Sequence, residues 1–168
     1  MLHSYKDWQI KNQRKIIVYN VPQHQAIDFV IANTYKFIGD SALLQDGMLQ
    51  NFHLKPGRIA LQLNKQTDTL ENIFMHHPFY QFGNKKILLI DRPFAIEPVN
   101  QKINVDIIII SKSPKLYIPQ LLAAFNCNQI VADASNSLWK IGKWKKDCDE
   151  LHLQLHSVPE KGAFILDL

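Results

Sequence analysis

A chain of 168 residues fits one domain of ordinary size and is long enough to bury a real core. Its composition, 46% hydrophobic and 20% charged, is that of a folded globular protein and not of a disordered one. A net charge of +4 permits a polyanionic partner without requiring one, and no run of about 18 apolar residues is present to span a bilayer.

Residues 1–13 are polar, lack the apolar segment of a secretory signal, and read as an N-terminal extension or linker ahead of a single domain over residues 14–168. RKIIVYNV (14–21) has the β-branched run of a strand, and Pro22 closes it. AIDFVIAN and TYKFIG (26–39) follow as a strand pair turning near Asn33. Asp40 and Ser41 can cap a short helix over ALLQDGMLQNFHL, with its leucines and Phe52 at helical spacing. Lys55-Pro56-Gly57 is expected to end that helix, and RIALQL (58–63) reads as a strand. Residues 64–84 read as a loop with one helical turn at most. KKILLID (85–91) is a buried strand, broken by Arg92-Pro93.

From Val105 strands and helices alternate. A strand over 105–110 precedes a helix over 118–126, whose Pro119 suits a first turn. A strand over 129–133 and a helix over 137–151 follow. Two last strands, 153–158 and 163–168, are expected to join through a turn at 159–162. A strand-rich first half and an alternating second half imply a layered α/β or α+β domain with sheet buried under helices.

Few motifs carry chemistry. Cys127 and Cys148 have no zinc-type spacing and read as reduced, mostly buried thiols, with a disulfide open to them in an oxidising compartment. His76 and His77 are adjacent, so their side chains diverge on either a helix or a strand. His152, Gln154 and His156 share one face of a strand, which an edge strand explains without a ligand. Asp28 and Asp91 are isolated carboxylates, and no P-loop, GxGxxG or GxSxG occurs.

DASNSLW (133–139) leaves a strand and enters a helix. Ser135, Asn136 or Ser137 can cap that helix, or its N-terminus can receive an anion, which Asp133 would oppose. The following WKIGKWKK sets Lys140, Lys143, Lys145 and Lys146 among Trp139 and Trp144. That pattern suits phosphate and base contacts, or equally a solvated cationic face with tryptophans in the core. Gly142 within it suggests close packing.

The C-terminal two-fifths, from VDIIIISKSPKL through LLAAFNCNQIVADASNSLWKIGKW to GAFILDL, resembles the C-terminal part of the ComEC family. These are integral-membrane proteins of DNA uptake in natural competence, and the likeness is to the version in Bacteroidetes-type bacteria. Many of them end in a metallo-β-lactamase-like domain. Its metal-binding form runs a strand into HHGSK, where this chain has Ser111, Lys112, Ser113, Pro114 and Lys115. Ala134, Ser135 and Asn136 stand at the second strand end, Lys161-Gly162-Ala163-Phe164 at a terminal hairpin, and Asp91 near a bridging aspartate. The family's DvGqGDa turn is replaced by NVPQHQA (20–26), and no HxHxDH segment is present.

The resemblance implies a shortened metallo-β-lactamase-like αββα sandwich with no metal, no cofactor and no catalytic residues. It implies a soluble domain at the inner membrane, on the periplasmic side, beside the membrane channel portion of the same polypeptide. There it would assist DNA uptake by binding single-stranded DNA or a partner, with no small-molecule substrate. Expected contacts are Lys112, Lys115, Ser135, Asn136, Lys140, Lys143, Lys145 and Lys146, with Asp91, Ser111 and Ser113 as the rim of a vestigial site. The rival readings are a divergent nuclease or phosphodiesterase recruiting metal through His76, His77 and Asp91, and a pure interaction scaffold.

Overall fold

Alternating burial along the strands builds two sheets that share one apolar interface. The computed structural model describes residues 2–45, 47–97 and 99–168. After a helix α1 (Leu2–Asn12), which occupies most of the expected extension, β1 (Arg14–Val18), β2 (Ala26–Ile31) and β3 (Thr34–Gly39) form an antiparallel meander. Ile16, Val18, Ile27 and Phe29 point to the sandwich interior, whereas Ile17, Ala26 and Val30 point outward. That outward face is covered by a helical stretch: α2 (Ala42–Gln45), α3 (Gly47–Leu49), a π-helical turn (Gln50–Leu54) and α4 (Lys55–Ala60). Leu43 and Leu54 pack there against Ile17 and Val30.

Residues 58–63 are therefore not the expected strand. Pro56 lies in the first turn of α4, where its missing N–H leaves no bond unmade, so it continues the helical path. Arg58 turns inward at 7% exposure while the adjacent Ile59 is 73% exposed, which fits one face of a helix docked on the sheet.

The expected loop over 64–84 is also corrected. It holds β4 (Lys65–Gln66), β5 (Ile73–His76) and β6 (Phe79–Phe82), the last two pairing as an antiparallel hairpin. Aromatic density there reflects half-buried sheet: Phe29 meets Phe82 edge-on at 5.5 Å across the sandwich.

β7 (Lys85–Ile90), β8 (Ile103–Asn104) and β9 (Ile107–Ile110) lead to α5 (Ile118–Ala124), with Pro119 in its first turn. β10 (Phe125–Asn126), β11 (Gln129–Ala132), α6 (Leu138–Glu150), β12 (Gln154–Ser157), α7 (Val158–Lys161) and β13 (Phe164–Asp167) complete the chain. β7, β9, β11 and β12 are mutually parallel. β9 is buried on both faces, Ile107 and Ile109 in the sandwich and Ile108 and Ile110 under the helices, as a central parallel strand requires.

Sheet orders are β13-β1-β2-β3-β4 and β12-β11-β9-β7-β6-β5, with β10 and β8 paired apart. α5 and α6 cover the second sheet through Leu121, Ile141 and Trp144, so the layers run helix, sheet, sheet, helix. The two last strands do not form the expected hairpin. β12 pairs with β11 and β13 with β1, and α7 carries the chain from one sheet to the other. Among the described residues no helix is long and apolar enough to cross a membrane.

Candidate functional site at the strand ends

The C-terminal ends of parallel strands are where α/β sheets present ligand-binding residues, because loops diverge there. In this chain the ends of β7, β9 and β11 deliver Asp91, Ser111 to Pro114, and Asp133 to Ser137. Asp133 is the hub. It is fully buried and accepts hydrogen bonds from the Ser111 and Ser135 hydroxyls, the Ser135 N–H at 3.0 Å and the Asn136 amide at 3.1 Å. Burial pushes its carboxyl up to about 6, against the pull of those hydroxyls.

The loop after β9 is held in an unusual shape. Lys112 and Ser113 adopt successive left-handed conformations, φ 61° and 52°, which cost energy for residues with a Cβ. Side chains from the neighbouring loop offset this. The Lys112 N–H donates to Ser135 Oγ at 2.6 Å and the Ser113 N–H to Asn136 Oδ1 at 2.8 Å. Asn136 also donates to the Ile110 carbonyl at 2.6 Å. Ser113 Oγ accepts from the Ser137 N–H at 2.7 Å, and Ser137 caps α6 by accepting from the Lys140 N–H. The Lys140 ammonium donates to the carbonyls of Ser113 and Pro114.

Carboxylates from elsewhere flank this network. Lys112 Nζ reaches Asp40 at 3.0 Å, and Asp40 also takes His24 at 3.2 Å and the Gln25 N–H at 3.1 Å. Partial burial opposes ionisation of Asp40, but Lys112, Gln25 and His24 together hold it below the ordinary range. At the end of β7, His77 Nε2 lies 2.8 Å from Asp91, with Arg92 at 3.3 Å. Burial again opposes, and those partners outweigh it to lower the Asp91 carboxyl. His76 lies exposed on β5 and joins neither. Among the described residues no three His, Cys, Asp or Glu side chains gather closely enough to hold a metal ion.

The predicted contact residues thus separate into groups. Ser111, Ser113, Ser135, Asn136 and Lys140 lie in the strand-end network, and Lys112 is paired beside it. Lys115, Lys140, Lys143 and Lys146 line a groove of about 480 Å³ with Pro114, Tyr117, Trp139 and Trp144. Lys145 lies apart, 3.1 Å from Glu160. The tryptophans divide: Trp144 is core, its indole donating to the Leu116 carbonyl at 3.2 Å, while Trp139 is 67% exposed. Gly142 has open space around it, so the expected close packing there is not found.

Sequence reasoning missed the Asp133 hub, the Asp40–Lys112 pair and a buried cluster under α4. In that cluster Arg58 makes a bidentate pair with Asp28 at 2.8 and 2.9 Å, and Tyr19 donates to Asp28 at 2.8 Å. A lone Asp inside an otherwise apolar strand was the signal for it, since such a residue demands a partner. Cys127 and Cys148 are free thiols, Cys148 buried, its thiol pushed up to about 12 by burial and then by Asp147 and Asp149. His156 meets the Gly162 carbonyl at 2.9 Å.

A family model described as the ComEC C-terminal domain matches residues 16–168, nearly the whole chain. Neither the curated proteins nor the solved structures gave a match.

Proposed function

Because the chain belongs to the ComEC C-terminal domain family, we propose that it is a non-catalytic domain that assists DNA uptake by holding DNA or a partner. Membership ties it to competence and to a membrane-associated protein. The reading places it on the periplasmic side of the inner membrane, beside the channel portion of the same polypeptide. It requires neither cofactor nor small-molecule substrate. The helix–sheet–sheet–helix layering supports a shortened metallo-β-lactamase-like sandwich.

The observation that carries the non-catalytic reading is the closed strand-end network. Where a dinuclear hydrolase projects imidazoles and carboxylates toward ions, Ser111 and Ser135 donate to Asp133, and Ser135, Asn136 and Ser113 accept from the backbone N–H groups of Lys112, Ser113 and Ser137. These groups hold the loops together and offer nothing to a nucleophilic water. The test is metal analysis of the purified chain after exposure to zinc and manganese, with hydrolysis of an activated phosphodiester and of labelled single-stranded DNA. Substoichiometric metal and no turnover are expected. Stoichiometric metal with turnover lost in His77→Ala and Asp91→Ala overturns the reading.

A further inference from the structure

The groove between the loop before α5 and the exposed side of α6 has a composition that the core does not explain. α6 buries Ile141, Trp144 and Cys148, a stripe sufficient to dock it on the sheet. Trp139 is outside that stripe, 67% exposed, and Tyr117 across the groove is 56% exposed. An indole left in water at this extent has no packing role. Around the two rings stand Lys115, Lys143 and Lys146, and among the described residues none of these three has an ion pair. Asp147 is the one carboxylate among the lining residues. Lys143 Nζ sits 4.0 Å from the Trp139 ring centre, a cation–π contact that steadies the indole.

We infer that this groove is a stacking site for single-stranded nucleic acid, with bases on Trp139 and Tyr117 and phosphates on Lys115, Lys143 and Lys146. The inference rests on the DNA-contact reading above and adds its location and strand form. Two properties select this ligand. Flat rings accept any unpaired base, whereas the bases of a duplex are already stacked on each other. Lysine is depleted in protein–protein interfaces, so three unpaired ammonium groups around aromatic rings fit a polyanion better than a protein partner. Lys140 has a different part: its ammonium is held by the Ser113 and Pro114 carbonyls, so it fixes the groove wall and does not meet phosphate. Through that contact the wall joins the strand-end network, which makes the groove a preformed site.

The test uses the 168-residue chain, a fluorescein-labelled short oligothymidylate, a duplex of equal length and an abasic strand of equal charge. The single strand is expected to bind more tightly than either competitor, with affinity falling steeply as salt rises. Trp139→Ala and Trp139→Leu should each weaken it about tenfold, since leucine restores apolar surface but not a ring. Lys143→Gln with Lys146→Gln should flatten the salt dependence, and Lys145→Gln, outside the groove, should change neither. Equal binding of the abasic strand or duplex, or wild-type affinity in both Trp139 variants, overturns the groove assignment while leaving DNA contact elsewhere in place. No binding of any strand at low salt removes DNA contact itself. Hydrolysis of the strand would instead overturn the non-catalytic reading. Trp139 is exposed, so the unfolding midpoint of its variants should match wild type, which separates lost stacking from lost fold.

Discussion

Asp133 has no cation beside it among the described residues, and Asp40 adds repulsion, so its charge is sustained only by hydrogen-bond donors. A carboxyl raised to about 6 from an ordinary 3.8 binds a proton in the folded state that the unfolded chain has released. Between those values the folded state holds more protons, so this group's contribution to stability falls as pH rises from about 4 to about 6. Asp40 and Asp91 are lowered and act in the opposite sense, losing their contribution only as pH falls below the usual carboxylate range. Urea midpoints across that interval should therefore decline in the wild type. Asp133→Asn, which cannot titrate, should make the decline shallower, with Asp28, also raised by burial, contributing to what remains, and an unchanged slope in that variant would refute the assignment. Asn136 gives a second handle. The residue is 6% exposed, and its side chain serves the Ile110 carbonyl and the Ser113 N–H at once. Asn136→Ala leaves the Ser113 N–H unmet and the Ile110 carbonyl with only the Asp133 N–H at 3.1 Å, which should cost roughly 1–3 kcal/mol in urea unfolding and speed amide exchange at Ser113.

Among the elements, α6 shows how local sequence can be sufficient and still leave stability unused. Ser137 caps it, its apolar stripe docks it, and Gly142 sits on the exposed side with nothing within 4 Å of an added Cβ. Gly142→Ala should raise stability by about 0.5–1 kcal/mol, read as a higher urea midpoint at unchanged slope. β7, β9, β11 and α6 were legible because each carries its own period and its own stop. Residues 58–63 were not, because RIALQL satisfies a strand pattern locally. Only the sheet beneath it shows that Arg58 must turn in toward Asp28. The β5–β6 hairpin was hidden by weak alternation, Phe74 being 67% exposed on an edge strand. At the candidate site the strand ends could be read from the abrupt change at Ser111. Their partners could not, since Asp40 and His24 approach from the other sheet, far away along the chain.

For the molecule as a whole, the two sheets share a core in which Ile16, Val18 and Phe29 of one meet Ile87, Leu89, Ile107 and Ile109 of the other. Each sheet has a helical cover on its outer face, so neither can expose its inner face without the other doing so. α7 adds a covalent tie, carrying β13 across to pair with β1. One cooperative unit should result, and Arg58 tests it from the far side. Arg58 projects from the inner face of α4, with its guanidinium on Asp28 and 4.2 Å from the Tyr35 ring centre. Arg58→Met removes one partner of a buried pair and leaves the Asp28 carboxylate without its cation, which costs about 3–5 kcal/mol in comparable sites. Trp144 reports from the opposite outer layer, where it is buried while Trp8 and Trp139 are exposed. If the layers unfold together, Arg58→Met shifts the Trp144 fluorescence transition and the far-ultraviolet circular dichroism transition by the same amount. If α4 and its sheet come away first, the dichroism signal moves to lower urea and the fluorescence stays near its wild-type midpoint. Coincidence is the expected result, because the apolar interface that holds the first sheet is the same one that holds the second.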